Sequence, residues 1–415
     1  GSFPPGTPVT PLAATIPAIY PLVHRPETPL IEHLQFSTKS LRRLDGTEQR
    51  IALRKCPRNT FEAKIADGRQ YMESFLYDRA MDDMAFPFWH EPAYLSAAVT
   101  AGDDHVHVVT TAVSQFLAGQ WAMLSRVDGT YDIVEVLTVA PTELTFDGIV
   151  LHDYPIRAEV LPVARCWADS IAVSKQLNYA TYDMKLAIEP VDNDLGLSAY
   201  LDGELSVTDV NYGGPLEETI ARPHYRLDGG YGPMSQTVIL GHSDRGSTLG
   251  FRTRSRAALW ALREKLYKLQ GRAVAFYLAT FAEELTPTAG LTIGQSVLNI
   301  ERCDYTEFVQ NRRGRLRIHL AGGSVLSRNV LSSKIVSPTT ERLTMTSPWG
   351  ATVALADIER IEYLELVRLD TDDVVIRHRN ALGWASCEVP VVCLSDPRPL
   401  PGEPIGLLLP LTYTE

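Results

Sequence analysis

Two histidines, His105 and His107, stand two residues apart just after Asp103 and Asp104. Side chains alternate along a strand, so both imidazoles would leave one face and could offer two ligands to a zinc-type ion. An exposed strand face ending in an acidic turn explains the same run. The corresponding places later in the chain hold Val297 and Asn299, so no metal ligand is assigned. His242, Ser243 and Asp244 include the residue types of a hydrolase triad. A triad converges from separate elements onto an oxyanion hole, whereas three neighbours in sequence read as a polar turn. Glu283-Glu284 and Asp372-Asp373 pair carboxylates. Glycoside hydrolysis sets a separation in space that sequence does not fix, and Asp372-Asp373 reads as a solvated turn.

Gly229-Gly230-Tyr231-Gly232 has no Lys-Ser/Thr after it, so a turn is expected rather than a phosphate cradle. No GxSxG, HExxH or GxxxxGK[ST] pattern occurs. The basic stretch Arg312-Arg313-Gly314-Arg315-Leu316-Arg317 is expected to form a solvated hairpin or to pair with acidic neighbours across an interface. Phe88-Trp89 and Phe276-Tyr277 read as core. No catalytic, cofactor-binding or metal-binding residue is assigned, and the chain is expected not to be an enzyme.

The 415 residues suffice for about two to four domains. With 45% hydrophobic residues the chain can build packed cores. Its net charge of -11 argues against an ordinary nucleic-acid binder, which needs surplus Lys and Arg to neutralise phosphates. No apolar run is long enough to span a bilayer, and no signal peptide is expected. The cysteines, Cys56, Cys166, Cys303, Cys387 and Cys393, are scattered and form no CxxC pair, which fits free thiols.

Proline punctuates both ends, from Pro4 to Pro29 and from Pro397 to Pro410. Such segments read as extended arms, draped over a body or over neighbouring subunits. Between them, short apolar runs are separated by Gly turns. Asp128-Gly129 and Gly322-Gly323 predict hairpins over 122–136 and 315–330. Two segments read as helices. One follows Ser255, with Leu259, Leu262, Leu266 and Leu269 on one face and Gly271 as its stop; Arg263, Glu264, Lys265 and Lys268 are placed on the opposite polar face. The other follows Asp67, with Met72, Phe75 and Leu76 inward and Asp82-Asp83 near its end.

The two helical regions stand in matching surroundings. Asp67 to Phe86 and Ser255 to Val274 are equally spaced. Val99 and Phe116 are echoed 192 residues on by Leu291 and Phe308; Leu144 is echoed 199 on by Leu343; Arg165 and Asp169 are echoed 203 on by Arg368 and Asp372. Ordered echoes of this kind predict an internal duplication. The expected fold is mainly β with two helices: two β-sandwich or barrel units, each with one helix and a small β module. The expected divisions are an arm at 1–35, unit 1 at 36–95, its module at 96–165, a β connector at 166–219, unit 2 at 220–285, its module at 286–370, a β extension at 371–394 and an arm at 395–415.

Asp45-Gly46-Thr47-Glu48-Gln49-Arg50, leading into a strand, a helix and an aromatic strand, resembles distal tail proteins of long-tailed bacteriophages and of phage-like gene transfer particles. Leu269-Gln270-Gly271-Arg272-Ala273-Val274-Ala275-Phe276 is similar to the helix end and strand of that family. The resemblance covers about 45–95 and 235–281. The whole chain resembles tail proteins of transposable siphophages that carry two such units. The first unit departs from the family in having Asp82-Asp83-Met84 where a basic turn is common.

The resemblance implies a tail-tube-like fold and a non-enzymatic ring in the virion, assembled in the bacterial host cytoplasm. The ring would join the tail tube protein to the baseplate hub and other tail-tip proteins, with DNA only in passage through the bore and no membrane segment. Two units per chain favour a trimer of pseudo-sixfold symmetry over a hexamer. A baseplate hub or receptor-binding module of the same tail is the alternative.

Overall fold

The computed structural model describes residues 20–42, 48–68, 84–175, 179–189, 195, 197–203, 205–207, 217–221, 224–228, 230–232, 234–238, 244–309 and 313–394. The fold is mainly β. The first half contains β1 (Tyr20–Pro21), β2 (Leu30–Gln35), β3 (Thr38–Arg42), β4 (Glu48–Ala52), β5 (Arg58–Gly68), β6 (Met84–Pro87), β7 (Ala93–Tyr94), β8 (His105–His107), β9 (Trp121–Ser125), β10 (Tyr131–Ala140), β11 (Glu143–Asp147), β12 (Glu159–Lys175) and β13 (Tyr179–Ile188). The second contains β14 (Ser206–Val207), β15 (Glu218–Ala221), β16 (His224–Leu227), β17 (Ser235–Val238), β18 (Asp244–Arg254), the helix α1 (Arg256–Leu269), β19 (Ala275–Ala279), β20 (Val297–Glu301), β21 (Arg315–Leu320), β22 (Val325–Ser337), β23 (Thr340–Met345), β24 (Ile358–Leu369), β25 (Asp373–His378) and β26 (Trp384–Cys393). Among the described residues no helix is long and apolar enough to cross a membrane.

The helix after Ser255 forms for the reasons its sequence carries. The Ser255 hydroxyl accepts from the Ala258 N–H, capping the first turn, and the leucine stripe is buried. Its stop comes one residue before Gly271: Gln270 takes the left-handed cap conformation. Gly271 follows with φ +64, and a Cβ there would sit 2.5 Å from Asp372 and 2.8 Å from Phe36. The helix expected after Asp67 lies mostly outside the described residues, Asp67 and Gly68 being the end of β5. The arms at 1–19 and 395–415 also lie outside them.

Both halves follow one pairing scheme. β1 runs parallel to β6 as β14 does to β19. β2 lies antiparallel to β5 as β15 does to β18, and the hairpin β3–β4 matches β16–β17. β13 joins β5 to β12 as β26 joins β18 to β24 and β25. The ladder β9–β10–β11–β8 matches β21–β22–β23–β20.

Register makes the match residue by residue. Thr38 opposite Ala52 and His224 opposite Val238 give an offset of 186 (224 − 38, 238 − 52). Leu95 with Val108 and Pro287 with Ile300 give 192 (287 − 95, 300 − 108). Even a bulge recurs: the ladder slips after Val136 in β10 and after Val330 in β22, at an offset of 194 (330 − 136). Such an irregularity is specific enough to mark common design.

Register also corrects two sequence echoes. Met84 pairs with Cys166 where Phe276 pairs with Val367, so Phe86 answers to Leu278 and not to Val274. Arg368, opposite Val392, answers to Trp167, opposite Ala187, and not to Arg165. The cause is a slip in β12 between Ala168 and Ser170 where the second half inserts Asp370–Asp372. Beyond the slip, Ser170–Lys175 correspond to β25 at an offset of 203 (378 − 175). Phe116 is buried but Phe308 is 73% exposed, and Tyr305, three residues before it, is buried in the second module beside Trp349 and Tyr363.

Four apolar cores result, two built mainly from each half, and one of the second half's takes in Leu34 and Phe36 of the first. The expected divisions shift accordingly. β12 runs through residue 165, so 166–188 belong to the sheet of the first half and not to a connector. Residues 30–35, expected in the extended arm, form a central strand: β2 pairs with β5 on one edge and β25 on the other. Its alternation of buried Leu30, Glu32 and Leu34 with half-buried neighbours is the reason. β2 thereby joins the sheets of the two halves.

Candidate assembly interface

The junction made by β2 contains a fully buried ionic cluster. Arg263 of α1 donates through Nη1 and Nη2 to the two oxygens of Glu32, at 2.7 Å each, and through Nη2 to Glu91 Oε1 at 3.0 Å. His378 Nε2 lies 2.8 Å from Glu32 Oε2, and His90 Nε2 lies 3.4 Å from Glu91 Oε1. The rings of His90 and His378 lie with centroids 4.2 Å apart, tilted by 37°. Glu32, His90 and Glu91 come from the first half; Arg263 and His378 come from the second.

Burial opposes ionisation of Glu32, yet Arg263, with His378 and His90, holds it far below the usual carboxylate range. Burial likewise opposes Glu91, which Arg263 and His90 hold at about 2. Burial and the neighbouring His90 push His378 down to about 4 against the pull of Glu32. Glu32, His90 and His378 alone among the described residues group three metal-ligand types within 4.8 Å. Arg263 already supplies the cation to both Glu32 oxygens, so the cluster reads as an internal lock between halves.

The His378 shift has a sign. Between its folded value of about 4 and its ordinary 6.5, the unfolded chain binds a proton that the folded chain refuses. Stability is therefore whole above about pH 6.5 and falls as the pH drops toward 4, by about 3 kcal/mol. Urea midpoints at pH 7 and pH 4.5 check this: the wild type should lose much of that amount, and a His378→Gln variant should show a flatter profile.

The β3–β4 hairpin extends the junction. Arg368 grips Glu48 at 2.8 and 3.1 Å, Arg50 reaches Asp202 at 2.7 Å, and the Thr38 N–H donates to Asp372 Oδ2 at 2.9 Å. Burial works against Glu48 ionising, but Arg368, Arg42 and Arg50 hold it below the carboxylate range. Asp372 is thus no solvated turn: the same carboxylate accepts from the Arg272 N–H at 3.0 Å and fastens the end of α1. Glu48-Gln49-Arg50 form β4, while 43–47 lie outside the described residues.

Among the described residues, those singled out for chemistry do not converge. His105 and His107 lie on exposed β8, His105 against Asp104 at 2.9 Å and His107 at 4.0 Å from Glu143. His242 and Ser243, Gly229 and Arg312 lie outside the described residues. Arg313 pairs with Glu284 and Glu365, and Arg317 with Glu362, all within the chain. Phe88, Trp89 and Phe276 are core. Arg263 corrects the sequence reading: it is fully buried, not on the polar face. The signal was present, because 263 stands four after Leu259 and three before Leu266, on the apolar stripe itself.

The second half carries the same arm, β15 with β16–β17. Among the described residues only β18 pairs with β15, and Glu218–Ala221 and His224–Leu227 are exposed. No known protein-family model matches this chain, and no curated protein sequence matches it.

Proposed function

We propose that this chain is a structural protein of a bacteriophage tail tip, forming a ring that joins the tail tube to the baseplate hub around the DNA channel. The observation that carries the reading is the repeat of one pairing scheme in both halves, with an open arm left on the second. A ring is built from such heterologous contacts, repeated around an axis. Two units per chain favour three copies at pseudo-sixfold symmetry. The net charge of -11 suits a wall along which DNA slides without sticking. A hub or receptor-binding role is the second reading, and the exposed Tyr231 and Phe308 favour it.

A map of the assembled tail made without imposed symmetry tests the proposal. The chain should encircle the axis between tube and hub in three copies. Six copies would reject the trimer, and a position off the axis would reject the ring.

A further inference from the structure

We propose that the open arm of the second half completes the first half of another copy of this chain, with β15 adding antiparallel to the outer edge of Ser170–Lys175 in β12. The inference deepens the ring reading and rests on it for the partner's identity, while its geometry rests on register alone.

The chain displays this joint once already, inside itself. β2 lies against β25 with Gln35 opposite Asp373, Leu34 opposite Val374, His33 opposite Val375 and Glu32 opposite Ile376. β2 corresponds to β15 at an offset of 186, and β25 to Ser170–Lys175 at 203. Carrying both across places Ala221 opposite Ser170, Ile220 opposite Ile171, Thr219 opposite Ala172 and Glu218 opposite Val173. Among the described residues, β13 alone pairs with Ser170–Lys175, and β18 alone with β15. Among the described residues, Ser170–Val173 and Glu218–Ala221 thus each have one row of backbone donors and acceptors with no strand against it, the template for strand addition.

Side chains on the two open edges match as the internal ones do. Leu34 is wholly buried in the internal joint, and Ile220 in its place is 64% exposed. Val374 and Ile376 are buried, while their counterparts Ile171 and Val173 are half-buried and exposed. The Glu48–Arg368 ion pair has Met234 and Trp167 as counterparts, 55% and 39% exposed. Both members have changed together from a charge pair to an apolar pair, which keeps the contact complementary. Glu32 and His378 have Glu218 and Lys175 as counterparts, and Glu218 is held by Arg245 of its own chain at 2.5 Å. Asp169 lies in the slip that takes the place of Asp370–Asp372, the segment whose Asp372 accepts from the Thr38 N–H. Each copy thus offers one arm and one edge, so the contact repeats head to tail.

Cysteine pairing tests the register in the full chain with Cys56 and Cys303 changed to serine. One preparation carries Ile171→Cys and another Ile220→Cys. Mixed and oxidised, they should give a covalent dimer at least ten times more abundant than either alone, and more than a mixture of Ser174→Cys with Ile220→Cys. Because each chain has one introduced thiol, an intrachain bond cannot give this product. Separately, Ile220→Lys with Met234→Lys should leave the circular dichroism unchanged but shift the association midpoint in sedimentation at least tenfold.

The double variant Ile171→Cys/Ile220→Cys should cross-link to a fixed maximum number of chains, which supports joint and ring together. A ladder without an upper limit supports the joint and overturns the ring. A closed oligomer without the matched cross-link overturns the joint and leaves the ring standing. A monomer at every concentration overturns both.

Discussion

Replacing Glu32 with alanine is expected to cost the folded chain about 3–5 kcal/mol, the loss typical of breaking a buried pair from one side. The side chain is wholly buried and takes both donors of the Arg263 fork together with His378 Nε2. Its removal leaves a guanidinium in an apolar setting with Glu91 as its remaining carboxylate. Burial opposes the charge on Arg263, and the two glutamates are what raise its affinity for the proton. Urea unfolding of Glu32→Ala at pH 7 provides the measurement. A double-mutant cycle with Arg263→Met separates the pair from its desolvation. The double variant should be more stable than Glu32→Ala alone, because the orphaned charge leaves with the arginine. A loss below about 1 kcal/mol in Glu32→Ala would show that the junction between the halves does not depend on this lock.

Gly383→Ala should destabilise by about 3 kcal/mol, from two separable causes. The residue has φ +88, a region that costs an L side chain about 1–2 kcal/mol. An added Cβ would also lie 2.3 Å from the Arg256 nitrogen and the Ser255 carbonyl carbon, backbone atoms at the start of α1. They cannot rotate away, so the turn or the helix must shift. The Gly383 carbonyl also accepts from the Thr253 hydroxyl at 2.7 Å, tying the turn to the strand that enters the helix. Gly230→Ala is the control. Its φ is +75 but nothing lies within 4 Å of its Cβ, so it should show the conformational cost alone. Equal losses at the two positions would refute the close-approach argument.

The elements that read well from sequence were those fixed by local chemistry. Ser255 and the leucine spacing define α1, and Asp128-Gly129 marks its hairpin through the left-handed conformation at Gly129. The offsets of 192 and 199 reappear in the pairing of β8 with β11 and of β20 with β23, because short loops there hold the repeats in step. What failed was non-local. Leu30–Gln35 carries a clear alternation, yet nothing near it in sequence names β25 as its partner, 338 residues on (373 − 35). The slip after Ala168 sets the echo of Arg368 at Trp167 and not at Arg165, since the single residue 169 stands against the three residues 370–372, a difference of two that is invisible without the neighbouring strands. The buried cluster was missed for the same reason: its members are spread from Glu32 to His378, and only Arg263 betrayed itself by its place on the helix.

β2 has a consequence for synthesis. The strand that covers its second edge is made 338 residues after it. At about 5–20 residues per second, that interval lasts about 20–70 s. For most of it, β2 has its first neighbour, β5, and lacks its second. Chains growing side by side on one messenger would meet in this state. A central strand thus waits for a partner 338 residues downstream, and during the wait a rival partner is the matching segment of a sister chain.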